Sequence, residues 1–382
     1  MATRSSKVAF VSGVNGITGF SIVEHLIRQP KEEWSKIIIS SRSPLKYFWA
    51  DPRIDFVAID FLEPVEEIKK KLPEAAKGIT HAYYCSYVHD ADFKKLKDKN
   101  VPLFKNFIDT IDTLCPDLNR IVLQTGGKHY GAHLGPLHKV PITEDFPRYN
   151  DEGYNFYYQE EDYMFELQKK RNTWSYNIVR PNGIVGYTPG VNGMSEALAF
   201  SIYFLICREL NEPPKFSGNE YFWSAPIDVS YAPGIADLIV WASTQDHTRN
   251  EAFNHVNGDI FLWKHMYPDL AKYFGVDVPE QKFEKAKGQS NTLSNEYDMI
   301  EWAKDKRPVW EAVVKKHGGN VEAFDWVQWD FMNWALGMSW PSFLSMDKAR
   351  KFGWTRHDDS LECFLDTFKV FENAGVLPAS KN

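Results

Sequence analysis

Apolar residues in the first half of the chain cluster into short runs, each followed by a longer amphipathic stretch. The runs centre on Val8–Val11, Lys36–Arg42, Asp55–Phe61, His81–Tyr87, Arg120–Gly126 and Ser175–Pro181, with β-branched and aromatic residues prominent. Runs that stay apolar across successive positions predict strands buried on both faces. Between them, Phe20–Ile27, Phe93–Leu114 and a stretch from near Tyr154 to about Arg171 read as helices. Strands alternating with helices predict a parallel sheet covered on both sides, so the expected fold is α/β, a doubly wound Rossmann-type sheet.

Beyond Pro181 the rhythm changes. Asn182–Gly190 is loop-like and Met194–Leu210 reads as a helix, while Ala225–Ser230 and Glu251–Val256 read as pieces of the sheet returning. From about Asp259 the chain is helical and aromatic, and seven of its 13 tryptophans fall between Trp302 and Trp354. The expectation is a nucleotide-binding domain over 1–190, with returning segments near 224–257. An interleaved, mainly helical substrate lobe over 191–382 would follow. Clustered tryptophans predict an aromatic core first, and a wall over a bulky apolar substrate second.

Composition narrows this picture only modestly. A 382-residue chain with 43% hydrophobic and 25% charged residues is that of a globular protein. A net charge of −7 disfavours nucleic acid or an anionic membrane as the main partner. The longest apolar run, Ala197–Cys207, is well short of the ~20 residues of a membrane span. The N-terminus lacks a signal-peptide core, and the four cysteines are scattered without metal spacing. These features predict a cytoplasmic protein without a bound metal. A homodimer is the candidate assembly.

Chemistry enters with the first turn. Gly13, Gly16 and Gly19 follow a strand and open a helix at G-x-x-G-x-x-G spacing, the pattern of a turn that lets backbone approach a pyrophosphate. After the second strand, Ser40-Ser41-Arg42-Ser43 offers a guanidinium where an NAD enzyme usually places an acid. That favours NADP(H) over NAD; a surface arginine in a turn is the plainer alternative. The cofactor contacts expected along this edge begin with Gly13, Asn15, Gly16, Ile17 and Gly19. Ser41, Arg42, Ser43, Asp60, Phe61, Ser86, Thr125 and Gly126 follow, with Asp60-Phe61 placed to meet the adenine. Tyr157, Pro181, Asn182 and Ile184 complete the set.

A short-chain dehydrogenase carries Tyr-x-x-x-Lys on the helix after strand five. Here Asn155-Phe-Tyr157-Tyr158-Gln-Glu-Glu161-Asp162 puts carboxylates in place of that lysine. A carboxylate there would raise the pKa of a tyrosine. A displaced lysine stands in Gln124-Thr-Gly-Gly-Lys128-His-Tyr130. On these residues alone, a surface lysine and two core tyrosines are the simpler account.

Both segments, however, resemble the progesterone 5β-reductase/iridoid synthase family of atypical short-chain dehydrogenases. So do Arg180-Pro-Asn-Gly-Ile-Val-Gly186, Asn250–Lys264 and Lys306-Arg-Pro-Val-Trp310, and the similarity runs from Lys7 to about Trp354. The resemblance implies Tyr157 as the catalytic tyrosine with Lys128 beside it. It also implies NADPH-dependent reduction of an activated C=C bond in an apolar carbonyl substrate, such as a terpenoid, a steroid-like compound or another secondary metabolite. Direct reduction of a ketone or aldehyde, non-redox cyclisation or condensation, and redox sensing are the alternatives. Where plant members commonly have Val-Thr-Trp, this chain has Cys85-Ser86-Tyr87-Val88-His89, which points to Tyr87 as a substrate contact. Ser342-Phe343-Leu-Ser-Met346 resembles the stretch that supplies a pocket phenylalanine, here Phe343.

Overall fold

Each of the six apolar runs of the N-terminal half forms a strand: β1 (Lys7–Ser12), β2 (Trp34–Ser41), β3 (Ile54–Ala58), β4 (His81–Tyr84), β5 (Arg120–Gln124) and β6 (Ser175–Pro181). A seventh strand, β7 (Glu251–His255), joins them. The computed structural model describes residues 6–90, 92–137, 139–283 and 294–379. All seven strands are parallel, in the order β7-β6-β5-β4-β1-β2-β3. The expected doubly wound α/β sheet is therefore the fold of this chain.

The two-residue period of a strand explains why its runs are apolar throughout. Ala9, Val11, Ile37, Ile39, Tyr83, Val122 and Val179 belong to one buried cluster, which includes residues of α1 (Ile17–Ile27). Their neighbours Phe10, Ile38, Ala82, Tyr84, Ile121, Leu123 and Ile178 belong to another, under α2 (Val65–Lys71), α3 (Phe93–Leu114) and α4 (Phe156–Arg171). Each Val, Ile, Leu or Phe among them contributes on the order of 1.5–3 kcal/mol when fully buried.

Helix starts follow their caps. Asn155 accepts from the Tyr157 amide, so α4 begins at Phe156, not Tyr154. Ser195 accepts from Leu198 and starts α5 (Glu196–Leu210) two residues after Met194. On the α1 side of the sheet, α6 (Ala232–Thr244) supplies Ile235, Leu238 and Ile239 to the same cluster.

One expected strand is corrected. Ala225–Ser230 does not return to the main sheet: Pro226–Ile227 pairs antiparallel with Phe261–Leu262, and Ser230–Tyr231 pairs with Ile184–Val185. Its apolar residues serve these two small ribbons. The edge strand β7 pairs in parallel with β6, and polar side chains of the interior fasten the chain that leads into it. Buried Arg120 donates to the carbonyls of Ala242 and Gln245, and Asn177 donates to those of Thr248 and Glu251.

A third aromatic core lies in the C-terminal half, built on Phe200, Phe204, Trp263, Tyr267, Trp310 and Phe364. Trp302, Trp326 and Trp329 pack against it, whereas Trp334 is half exposed. Most of the tryptophan cluster is thus core. No helix among the described residues is long and apolar enough to cross a membrane.

Candidate active site

The strand order reverses between β1 and β4, and the glycine turn sits there, at the carboxyl edge. Gly13 has φ +69°, and a Cβ on it would lie 2.6 Å from the Cys85 carbonyl oxygen. A Cβ on Gly19 would lie 2.4 Å from the Gly13 oxygen, so neither position tolerates a side chain. Gly16 caps α1, leaving the first amides of that helix directed at the edge. Ile17 opens the same helix, and its side chain lies 3.2 Å from where a Cβ on Gly186 would stand. Gly186 is a further close approach that the spacing of the first three glycines did not reveal.

Asn15 joins this turn to the end of β2. Its amide donates to Ser41 Oγ at 3.2 Å and Ser43 Oγ at 3.1 Å, and its oxygen accepts from the Lys46 amide. Arg42, between those serines, is exposed and has no hydrogen-bond or ion-pair partner among the described residues. Asp60 is half-buried and accepts from the Leu62 amide. The Phe61 ring is buried edge-on against Phe10 and Phe107, which leaves its backbone as the part that faces the edge. Ser86 flanks Gly13, and the Thr125 hydroxyl is buried without a partner. A turn with no room for side chains, a buried orphan hydroxyl and a free guanidinium fit a phosphorylated dinucleotide.

Across the sheet, a Cβ on Gly126 would lie 3.7 Å from the Tyr157 hydroxyl and 3.4 Å from the Pro181 carbonyl. The turn after β5 and the start of α4 are therefore in contact, with Lys128 two residues from Gly126. Asn155 ties them: its amide donates to the Lys128 carbonyl at 3.0 Å while its oxygen caps α4. An Asn before a helix is legible in the sequence as a cap, but its bond to the Lys128 turn is not. Tyr158 closes the same joint from below, donating to the His129 carbonyl at 2.5 Å.

Burial pushes the Tyr157 phenol well above its ordinary value, with smaller effects from Tyr87, Glu160 and Tyr149. Burial lowers Lys128. The expectation that Glu161 would act on Tyr157 is corrected. Glu161 turns to Arg180 (3.1 Å), Arg148 (2.9 Å) and His129 Nδ1 (3.2 Å). Burial opposes its ionisation, but contact with His129, the charges of His129 and Arg180, and the hydrogen bond from Arg148 pull the carboxyl down to about 2. Burial holds His129 below its own ordinary value, opposed by its contact with Glu161. Glu160 is the acid on the tyrosine side, and burial, reinforced by Glu161, holds it well above the usual range. It therefore resists placing a full negative charge beside Tyr157.

The remaining wall comes from far along the chain. Asn182 donates to Asp228 at 2.6 Å and to the Ser342 carbonyl at 3.1 Å. Ile184 lies in the short ribbon with Ser230. Phe343 is half-buried, and its carbonyl accepts from the Ile142 amide at 2.9 Å. Tyr87 packs with Phe156 and Tyr157 on Leu96 and Val101. A cavity of about 480 Å³ is lined by His133, Tyr297, Asn333, Trp334, Met338 and Trp340, among others. Burial lowers His133 to about 4, with help from the Lys128 charge. Trp340 donates to the Ala132 carbonyl at 2.9 Å and pins the cavity wall to the chain just after the Lys128 turn. No group of three or more His, Cys, Asp or Glu side chains is arranged to hold a metal among the described residues.

Parallel sheet, glycine cradle at the reversal and a lysine displaced from its tyrosine's helix define an atypical short-chain dehydrogenase/reductase. The chain belongs to the PRISE-like Rossmann-fold domain family, whose model matches residues 9–329. It is 42% identical over 376 residues to the short chain dehydrogenase gsfE of Penicillium aethiopicum, covering 97% of this chain and 99% of that protein. It is 32% identical over 376 residues to the 3-oxo-Delta(4,5)-steroid 5-beta-reductase of Arabidopsis thaliana (96% and 92% covered). With the (S)-8-oxocitronellyl enol synthase ISY2 of Nepeta cataria the identity is 31% over 383 residues (98% and 92%). Among solved structures, the UDP-glucose 4-epimerase of Thermotoga maritima shares the fold at TM-score 0.65 and 14% identity, covering 96% of this chain and 99% of that one.

Proposed function

We propose that this protein is an NADPH-dependent reductase of an activated C=C bond in a small carbonyl compound. The observation that carries the reading is the Tyr157 hydroxyl against Gly126, beside the Lys128 turn and on the same sheet edge as the glycine cradle. Its relatives named as a steroid 5-beta-reductase and an oxocitronellyl enol synthase support a conjugated carbonyl as substrate.

Gly13, Gly16, Gly19, Asn15 and Thr125 would hold the dinucleotide, with Arg42 at the 2′-phosphate. NADPH, when bound, supplies a hydride to the β-carbon of an enone or enal. Negative charge then builds on the carbonyl oxygen, and the Tyr157 hydroxyl donates a hydrogen bond to it. A phenol whose pKa is raised stays protonated at neutral pH, which suits a donor better than a base. Lys128 adds positive charge without contributing its own side chain to α4. The cavity near His133 is of a size for a small molecule. Its indoles and amides suit a carbonyl compound that carries polar substituents on an apolar frame.

The test is NADPH oxidation against a panel of enones, enals and saturated ketones, with product analysis. Saturated carbonyl products support the proposal. Alcohols would make the protein a carbonyl reductase, and binding without oxidation would favour non-redox chemistry. Arg42→Ala should raise the KM for NADPH by roughly 10- to 100-fold, the worth of one charge-assisted hydrogen bond. KM for NADH should stay unchanged, and an equal change with both cofactors would remove Arg42 from the 2′-phosphate.

A further inference from the structure

Asp228 stands alone among apolar neighbours in Ala225-Pro-Ile-Asp228-Val, yet it is 2% exposed and both of its oxygens are used. Oδ1 accepts from the Asn182 amide at 2.6 Å, and Oδ2 accepts from the Leu344 backbone N–H at 2.7 Å. The same Asn182 NH2 donates to the Ser342 carbonyl at 3.1 Å. One buried carboxylate therefore joins the loop after β6 to the segment that carries Phe343. That segment is fastened on its other side as well, where Ile142 donates to the Phe343 carbonyl and accepts from Ser345.

The direction of the Asn182 amide follows from these partners. The Ser342 carbonyl accepts only, so the NH2 must face it and the oxygen must face away. The oxygen lies 3.3 Å from where a Cβ on Gly127 would stand, directly beside the Gly126–Lys128 turn. A hydrogen-bond acceptor is thus presented at the reacting edge, where an amide turned the other way would present a donor.

We propose that Asp228 is a positioning residue that fixes the Asn182 amide with its oxygen toward the Lys128 turn and registers the Phe343 segment against it. The inference rests on the reductase reading for its catalytic consequence and on geometry alone for the clamp. Asp228→Asn is the informative change because it preserves shape. An asparagine at 228 has one acceptor facing two donors, so either Leu344 or Asn182 meets a second N–H. If Leu344 keeps its partner, Asn182 must turn, and its oxygen leaves the reacting edge.

Two measurements on the full-length protein test this. In steady-state reduction of an enone, Asp228→Asn should lower kcat/KM by about tenfold or more, the range expected for one unsatisfied buried donor. The deuterium isotope effect on kcat, read with NADPH labelled at the transferred hydrogen, should rise, because misplaced reactants make hydride transfer limiting. A merely structural role would not move that isotope effect. Wild-type kcat/KM and isotope effect in folded Asp228→Asn would overturn the proposal. In Asp228→Ala, hydrogen exchange at 342–345 with NADP+ present should accelerate at least about tenfold. Unchanged exchange would overturn the clamp. If the wild-type protein reduces no enone, the reductase reading falls, while the exchange result still decides the clamp.

Discussion

Tyr157→Phe lowers kcat for a conjugated enone by about 10²- to 10³-fold, the usual loss on removing one donor to a developing oxyanion. The substitution keeps the ring that packs 4.4 Å from Phe156, so the α4 start and the Tyr87 contact are preserved. Cofactor binding should therefore survive, and the loss should lie in kcat, with KM for the enone little affected. Stopped-flow mixing of the enzyme–NADPH complex with the enone checks this directly. A single-turnover rate equal to wild type would remove Tyr157 from the chemistry. Changes at Tyr157 and Lys128 should be far from additive if the pair acts as one unit.

Glu161→Gln destabilises the fold by about 3–5 kcal/mol, because it leaves buried cationic partners without their counter-charge. Arg180 is nearly fully buried while Arg148 is about a third exposed, so most of the cost falls on Arg180. Denaturant titration measures it, and a midpoint unchanged from wild type would show that the network contributes nothing. The acid limb gives a second signature. The folded carboxyl lies near 2 against an ordinary value of 4.5. Its stabilisation is fully present above that ordinary value and is lost as pH falls from there toward 2. Wild type should weaken through that window, and the Gln variant should lack this part of the slope.

Glu161 also illustrates what the sequence could and could not say. The six N-terminal strands were readable because a strand buried on both faces must be apolar at successive positions, as Ala9, Phe10 and Val11 are. The glycine turn was readable because Gly13 and Gly19 have backbone where a Cβ would sit. Lys128 and Tyr157 were legible through the family motif, while their proximity to one edge needed the fold. The carboxylate at the fourth position after Tyr157 looked like a threat to the phenol. Only the arrival of Arg180 from β6 and Arg148 from the preceding loop shows where its charge goes. Asp228 was invisible for a related reason: its partners Asn182 and Leu344 are 46 and 116 positions away. For Phe61 the sequence left the ring's direction open, since a residue at a strand end can turn its ring inward as easily as outward.

The way β7 is attached bears on how the chain comes to be folded. Arg120 and Asn177, both well inside the N-terminal half, find their carbonyl partners only between Ala242 and Glu251. Until that stretch leaves the ribosome, β6 is an open edge, and the Arg120 guanidinium has the Asn177 side chain but not its backbone acceptors. The nascent glycine cradle can form early, from residues close in sequence, but the sheet that backs it closes only after more than 250 residues have been made. Such long-range closure is slow and leaves an edge prone to association. Synthesis of this protein therefore passes through an interval in which the nucleotide loop precedes a finished scaffold, and that interval is where chaperone dependence should concentrate.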